Sequence, residues 1–132
     1  MDLEYYLQEI GFDAQLKRLN QKLKNKKVVV YGTGSLFQII KDKYDISKIN
    51  IIGVSDRKYD ISDEGKEEMG YKIIPMVKIP DYSPDYLLVA TLNYIDIIDN
   101  FEKTLFKDEK TKVRPFAQKG LWTLLKEIWE IK

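Results

Sequence analysis

The chain has 132 residues, 44% hydrophobic and 33% charged, and its 22 basic and 21 acidic side chains leave a formal net charge of +1. This composition indicates one globular domain, and the balanced charge argues against nucleic acid as a partner. Histidine and cysteine are both absent, which removes disulfides, thiolate metal sites and histidine-activated nucleophiles. No apolar run approaches the roughly 18 residues that span a bilayer. We therefore expect a cytoplasmic protein with neither a membrane partner nor a metal site.

Residues 1–25 are predicted to form a helical extension. Their apolar side chains recur at helical spacing on either side of Gly11, as Leu3, Tyr6, Leu7 and Ile10 and then as Leu16, Leu19 and Leu23. Gly11 interrupts the pattern, and Asp13 can cap a second helix. We expect this extension to pack on the rest of the domain or on a second copy, because interspersed acidic residues count against a basic membrane-surface helix.

The strongest pattern in the sequence is a run of three valines followed by a glycine turn. The valines suit a strand buried on both faces, and Gly32 and Gly34 let the backbone turn sharply and approach a ligand. Helical spacing resumes at Leu36, so the turn ends at a helix N-terminus, where unpaired N–H groups and a partial positive charge bind anions. Thr33 and Ser35 can donate hydroxyls to a phosphate, but both are also ordinary turn and N-cap residues.

A second apolar strand, at 49–55, ends at Asp56. In dinucleotide-binding βαβ units, the acidic residue that follows the second strand lies roughly 20 residues beyond the glycines and binds ribose hydroxyls. Asp56 has this position, and Arg57 beside it could bind a phosphate. The alternative is that Asp56 only caps the turn that follows.

The segment between this strand and the next strong strand is polar and irregular. A surface loop or short helix is predicted for 57–69, and a short strand for 70–74 that stops before Pro75, which cannot donate to a ladder. An irregular stretch or a single helical turn is expected at 76–83.

A third strong strand is predicted at 85–91, followed by a helix over 95–105 and a short edge strand at 112–116. The carboxyl end of the third strand places Thr91 and Asn93 beside the glycine turn. Ligands of open α/β sheets bind at this edge.

The order of these elements predicts an α/β fold, a small doubly wound Rossmann-like parallel sheet flanked by helices, over residues 26–118. Extra helices are expected at both ends. The C-terminal helix, residues 119–132, presents a leucine face with Trp122 and Trp129 beside it, and we expect it to pack on the domain or on a subunit partner.

The glycine motif departs from the full dinucleotide fingerprint. Phe37 stands where a third glycine would allow close helix–strand packing, which counts against the standard mode of NAD binding. The lysine of a Walker loop is also missing. Two interpretations stay open, namely a bound nucleotide or nucleotide conjugate, and a retained fold whose turn serves only packing. Tyr31 and Tyr94 could stack on a base or sugar, or simply be packed.

Four segments together are similar to a known family: 27–34, 51–56, 70–74 and 85–91. They resemble the small Rossmann-like domain at the front of bacterial sugar acyltransferases of the sialic-acid and bacillosamine type, and of nucleotide-sugar dehydratases in polysaccharide biosynthesis. The resemblance implies binding of a nucleotide-sugar, with Gly32, Thr33, Gly34, Ser35 and Asp56 near the ligand. The catalytic modules of those enzymes are not in this sequence, so the resemblance transfers no catalysis.

We therefore predict a protein that binds a nucleotide-type small molecule, is linked to glycan or polysaccharide biosynthesis and is not catalytic by itself. For the cofactor, two candidates stay open, namely a nucleotide-sugar and an NAD(P)-like dinucleotide. No catalytic residues are assigned, and the predicted binding residues are Gly32, Thr33, Gly34, Ser35, Asp56, Arg57, Thr91 and Asn93.

Two alternatives remain. The chain could be a structural or partner-binding subunit with a vestigial pocket, forming a homodimer or docking on a partner enzyme through its terminal helices. Less favoured is an NAD(P)-dependent oxidoreductase with Tyr94 as the proton donor, because Ile98 stands where short-chain dehydrogenases place a lysine four residues after their tyrosine.

Overall fold

The computed structural model describes residues 2–108 and 110–119, so the C-terminal helix predicted at 119–132 lies outside the described part beyond Lys119. The helices and strands, in chain order, are α1 Leu3–Glu9, α2 Phe12–Lys22, β1 Val28–Tyr31, α3 Ser35–Lys43, β2 Ile51–Ser55, β3 Glu67–Glu68, β4 Tyr71–Lys72, β5 Tyr86–Val89, α4 Tyr94–Lys103 and β6 Lys112–Pro115. Two 3-10 helices cover Ile61–Asp63 and Met76–Tyr82. None of the described helices is long and apolar enough to cross a membrane.

The main sheet has four parallel strands in the order β2-β1-β5-β6. Strand β1 lies inside the sheet and is buried along its whole length. Because side chains alternate along a strand, Val28 and Val30 join a core cluster that includes Phe37 of α3, and Val29 and Tyr31 join another that includes Phe101 of α4. Helices therefore cover both faces, and the predicted small Rossmann-like α/β fold is confirmed.

The two N-terminal helices are part of the main core. Leu7, Phe12 and Leu16 lie in the same cluster as Phe37. Gly11, which has a left-handed backbone at φ 70°, separates α1 from α2 and occupies the N-cap position of α2. The side chain expected at that cap, Asp13, instead lies in the first turn of α2.

The segment between β2 and β5 does not add a full strand to the main sheet. The strand predicted at 70–74 is reduced to β4, which forms a small antiparallel hairpin with β3. Beyond the hairpin, Ile73 makes a single parallel bridge to Val54 of β2. A Cβ at Gly53 would overlap the side chain of Ile74, so Gly53 permits this segment to lie against β2.

Strand β6 forms an edge of the sheet, as predicted. The N–H groups of Lys112 and Phe116 donate to the carbonyls of Asp85 and Val89, on the β5 side. Main-chain groups alternate in direction along a strand, so Val113 and Pro115 direct theirs outward. Of these, Pro115 has no N–H group, and the carbonyl of Val113 accepts a hydrogen bond from the Arg114 side chain at 2.9 Å. The outward edge of β6 thus offers few free groups to another strand.

Candidate functional site

The candidate site is the crevice at the carboxyl ends of β1 and β5. The chain leaves β1 toward α3 on one face of the sheet and leaves β5 toward α4 on the other face. Neighbouring parallel strands whose connections diverge in this way open a crevice between their loops. The predicted residues Gly32 and Thr91 meet here.

Gly32 permits the close approach of these two loops. Its φ is +105°, and a Cβ at this position would lie 2.9 Å from the carbonyl oxygen of Ala90 and 3.0 Å from Cγ2 of Thr91. Both the backbone angle and the available space therefore require glycine. Gly34, in contrast, has an extended backbone and open space in the direction of a Cβ.

Thr33 and Asp56 fasten the glycine turn to the end of β2. The Thr33 N–H donates to Oδ2 of Asp56 at 2.8 Å, and the Thr33 hydroxyl lies 3.2 Å from the same oxygen and 3.0 Å from the hydroxyl of Tyr59. Thr33 is fully buried, so its N–H and hydroxyl groups stabilise the turn inside the protein. Asp56 also accepts the Lys58 N–H through Oδ1 at 3.1 Å. Capping of the following turn is thus part of its role, and Oδ1 keeps one acceptor position for a ligand hydroxyl.

The start of α3 is an open N-terminus. Gly34 occupies the N-cap position without a side-chain hydrogen bond, the first turn has no acidic residue, and both Gly34 and Ser35 are exposed. The first N–H groups of a helix have no partner within the helix. This end of α3 therefore presents N–H donors and a partial positive charge to the crevice.

Two buried oxygens at the same edge of the sheet lack a hydrogen-bond partner. They are Oγ of Ser55, the last residue of β2, and Oγ1 of Thr91, and the described residues contain one more such atom, Oδ1 of Asn20. Nearly all buried polar groups in proteins are paired, and an exception requires an explanation such as a water or a ligand. Asn93, the remaining predicted residue after β5, is exposed at the N-cap of α4 and makes no capping hydrogen bond.

A shallow cavity of about 240 Å³, open to solvent, lies beside the crevice, where β1, the loop after β2, the 3-10 helix that begins at Met76 and α4 meet. We call it the Tyr31 cavity. Its apolar lining consists of Tyr31, Met76, Ile97 and Phe101, and its polar lining of Arg57, Asp96 and Asn100. The predicted residue Arg57 thus has polar neighbours that the sequence interpretation missed. The spacing of four residues that places Asp96 and Asn100 on one side of a helix, matched by Ile97 and Phe101, was the available signal.

Burial controls the protonation of the tyrosines at the site. It raises the pKa of Tyr31 above 10.0, and the negative charge of Asp56 raises this pKa further while Arg57 opposes it. Burial likewise raises the pKa of Tyr59, against a lowering by its hydrogen bond with Thr33. Both phenols are therefore neutral near pH 7, able to donate hydrogen bonds but unsuited to act as bases.

Tyr94, the proton donor of the oxidoreductase alternative, is the first residue of α4 and is buried, and its hydroxyl accepts a hydrogen bond from the Lys119 N–H at 3.2 Å. It does not line the Tyr31 cavity. Within residues 2–108 and 110–119, no group of three or more acidic side chains could hold a metal ion.

The sheet order, the helices on both faces and the crevice at the diverging loops define a small Rossmann-like α/β domain. The chain belongs to the family described as C2185-like, N-terminal, whose model matches residues 24–111. The match begins just before β1 and contains the glycine turn, the Thr33–Asp56 contact and the Tyr31 cavity. A search of curated proteins found no match.

Proposed function

We propose that the chain binds a nucleotide or a nucleotide-sugar, with the phosphates at the crevice. One observation carries the proposal: the uncapped N-terminus of α3 adjoins Gly32, against which Thr91 packs with an unpartnered buried hydroxyl. A phosphate oxygen would accept hydrogen bonds from the first N–H groups of α3, and from Thr91 Oγ1 once the Thr91 side chain turns toward the crevice. The anion would also be favoured by the helix dipole.

Asp56 and Arg57 extend the site on the β2 side. The free acceptor position on Oδ1 of Asp56 could receive one ribose hydroxyl, while Oδ2 continues to hold Thr33. Arg57 is exposed and forms no ion pair with a described residue, so its guanidinium is available to a ligand.

In this proposal the chain holds its ligand without transforming it. The side chains at the crevice and the Tyr31 cavity are neutral phenols, hydroxyls, amides, one guanidinium and two carboxylates, of which Asp56 is engaged by three donors, and the sequence has no histidine or cysteine to act as base or nucleophile. We further infer a cytoplasmic role in glycan or polysaccharide biosynthesis, from the resemblance to the front domains of sugar acyltransferases and nucleotide-sugar dehydratases.

The test compares two substitutions at Gly34, where a Cβ meets no atom within 4 Å. Gly34→Asp supplies an N-cap carboxylate that occupies the N–H groups of α3. It should stabilise the fold by a few tenths of a kcal/mol and remove phosphate-ligand binding. Gly34→Ala adds the same carbon without a carboxylate, and should leave binding within about twofold of the original chain.

Thermal shifts against UDP- and CMP-sugars, NAD, NADP and coenzyme A provide the measurement. A ligand at 100 times its dissociation constant should stabilise the original chain by about 2.7 kcal/mol. No shift with any of these compounds, or an equal shift in Gly34→Asp, would contradict the proposal.

A second candidate is a partner-binding subunit, including a homodimer, whose crevice is vestigial. It is favoured by the contact between Thr33 and Asp56, which satisfies the glycine turn without any ligand. This candidate predicts no shift in the ligand panel. It also predicts a mass by light scattering above that of the 15.6 kDa monomer.

A further inference from the structure

The Tyr31 cavity carries two opposite charges that do not pair with each other. Arg57 and Asp96 both line it, yet neither takes part in the ion pairs formed by the described residues, which join Lys58 to Glu68, Lys66 to Asp63 and Lys103 to Asp99. Asp96 lies in the first turn of α4, where an acidic residue favours the helix. The helix dipole does not account for the arginine in the lining of the same cavity, nor for Asn100 one turn further along α4.

The remaining lining is aromatic and aliphatic. Tyr31 and Phe101 form an edge-to-face pair with centroids 5.0 Å apart, and both are more than nine-tenths buried. Met76 and Ile97 complete an apolar lining. At about 240 Å³ the cavity is smaller than the roughly 300–1,000 Å³ typical of sites that enclose a whole ligand, so it fits one ring with the rest of the ligand outside.

The position of the cavity connects it to the crevice. Tyr31 directly precedes Gly32, and Arg57 directly follows Asp56, whose carboxylate holds the glycine turn. The cavity lies on the α4 face of the sheet and α3 packs on the other face, so a ligand with its phosphates at the start of α3 would have to cross the end of the sheet at Gly32 to place its base in this cavity.

The charges select among the bases. A ring that hydrogen-bonds to both charged side chains needs an N–H donor for Asp96 and two adjacent acceptors for the guanidinium of Arg57. Cytosine is the single-ring base with this pattern, since its exocyclic amine is a donor and its N3 and O2 are neighbouring acceptors. Uracil has a carbonyl in place of the amine, which would face the Asp96 carboxylate without a hydrogen atom between them.

Resting on the proposed binding of a nucleotide at the crevice, we propose that the Tyr31 cavity holds the base of the ligand and selects cytosine. The natural ligand is then a cytidine nucleotide or its sugar conjugate. Arg57 binds N3 and O2, Asp96 accepts the exocyclic amine, and Asn100 contributes a further amide at the rim.

Isothermal titration of the full chain with CMP, UMP, GMP and AMP tests this assignment. We expect CMP to bind at least about tenfold more tightly than UMP, in line with the discrimination that a matched pair of hydrogen bonds gives. Asp96→Asn adds N–H donors that can bind the uracil carbonyl, so the preference for CMP should fall to about threefold or less. Asp99→Asn is the matched control, because Asp99 lies on the same helix, pairs with Lys103 and does not line the cavity.

The outcomes separate the two proposals. Equal binding of CMP and UMP, tighter binding of a purine nucleotide, or an unchanged preference in Asp96→Asn would overturn the cytosine assignment and leave nucleotide binding intact. Failure of all four nucleotides, together with the UDP- and CMP-sugars, would overturn nucleotide binding itself.

Discussion

Removing the Asp56 side chain should destabilise the fold even though Asp56 has the position of a ligand-binding residue. Asp56→Ala removes the acceptor of the Thr33 N–H at 2.8 Å and of the Thr33 hydroxyl at 3.2 Å. Thr33 is fully buried, and a buried donor left unsatisfied costs about 1–3 kcal/mol. The third donor, the Lys58 N–H, is on an exposed residue and can turn to water. We therefore expect a loss of about 2 kcal/mol.

Urea denaturation followed by circular dichroism measures this loss as a lower midpoint at unchanged slope. Asp56→Asn keeps an oxygen for the Thr33 N–H and should cost less than half as much. Asp45→Ala is a matched control, because Asp45 accepts two hydrogen bonds from Ser47 and both residues are exposed. If Asp56→Ala and Asp45→Ala shifted the midpoint equally, the reasoning from the burial of Thr33 would be refuted.

Two further predictions concern the glycine turn and the tyrosine that precedes it. Gly32→Ala should cost about 2–4 kcal/mol, because it combines a φ of +105° with a contact of 2.9 Å to the Ala90 carbonyl. Gly34→Ala should change the urea midpoint little, and equal effects of the two substitutions would contradict this account. The raised pKa of Tyr31, caused first by burial, contributes stability that is fully present below the unfolded value of about 10 and is lost as pH rises through the folded value. Midpoints measured between pH 8 and 11 should thus fall above about pH 10, and less steeply in Tyr31→Phe than in the original chain.

The architecture could be predicted from the sequence where one pattern dominated. Three valines in a row can be buried only by covering both sides of a sheet, and this placed β1 at an inner position. The glycine turn and the helix after it followed from residues close in sequence. The break at Gly11 was predicted for the same reason, since a local backbone angle causes it.

The segment between β2 and β5 shows where prediction from the sequence ended. The turn that joins β3 to β4 has a left-handed backbone at two residues, Met69 and Gly70. Methionine is not typical of such turns, so the sequence did not predict this one. Met69 packs against the main core, so a tertiary contact favours a side chain that local preference does not. Likewise, no local pattern revealed that Ile74 would lie over Gly53.

The sequence predicted where the candidate site lies but not what each of its residues does there. Position after the strands identified Gly32, Asp56 and Thr91, whereas the engagement of Asp56 with the buried Thr33 depends on the distance between two loops. The cavity lining from α4 was missed because Asp96 and Asn100 have the same spacing as residues on any solvated helix face.

The outward edge of β6 has a consequence for how copies of this chain can associate. Pro115 and the Arg114 side chain leave few main-chain groups there for a neighbouring strand, and at the opposite edge Ile73 already bridges to Val54. Growth of the sheet from one molecule into the next is therefore disfavoured at both ends, which also protects the chain from aggregation by strand addition. Among the described residues, contacts between copies are therefore expected to use side chains outside the main sheet, and surface substitutions there should alter them while leaving its strands untouched.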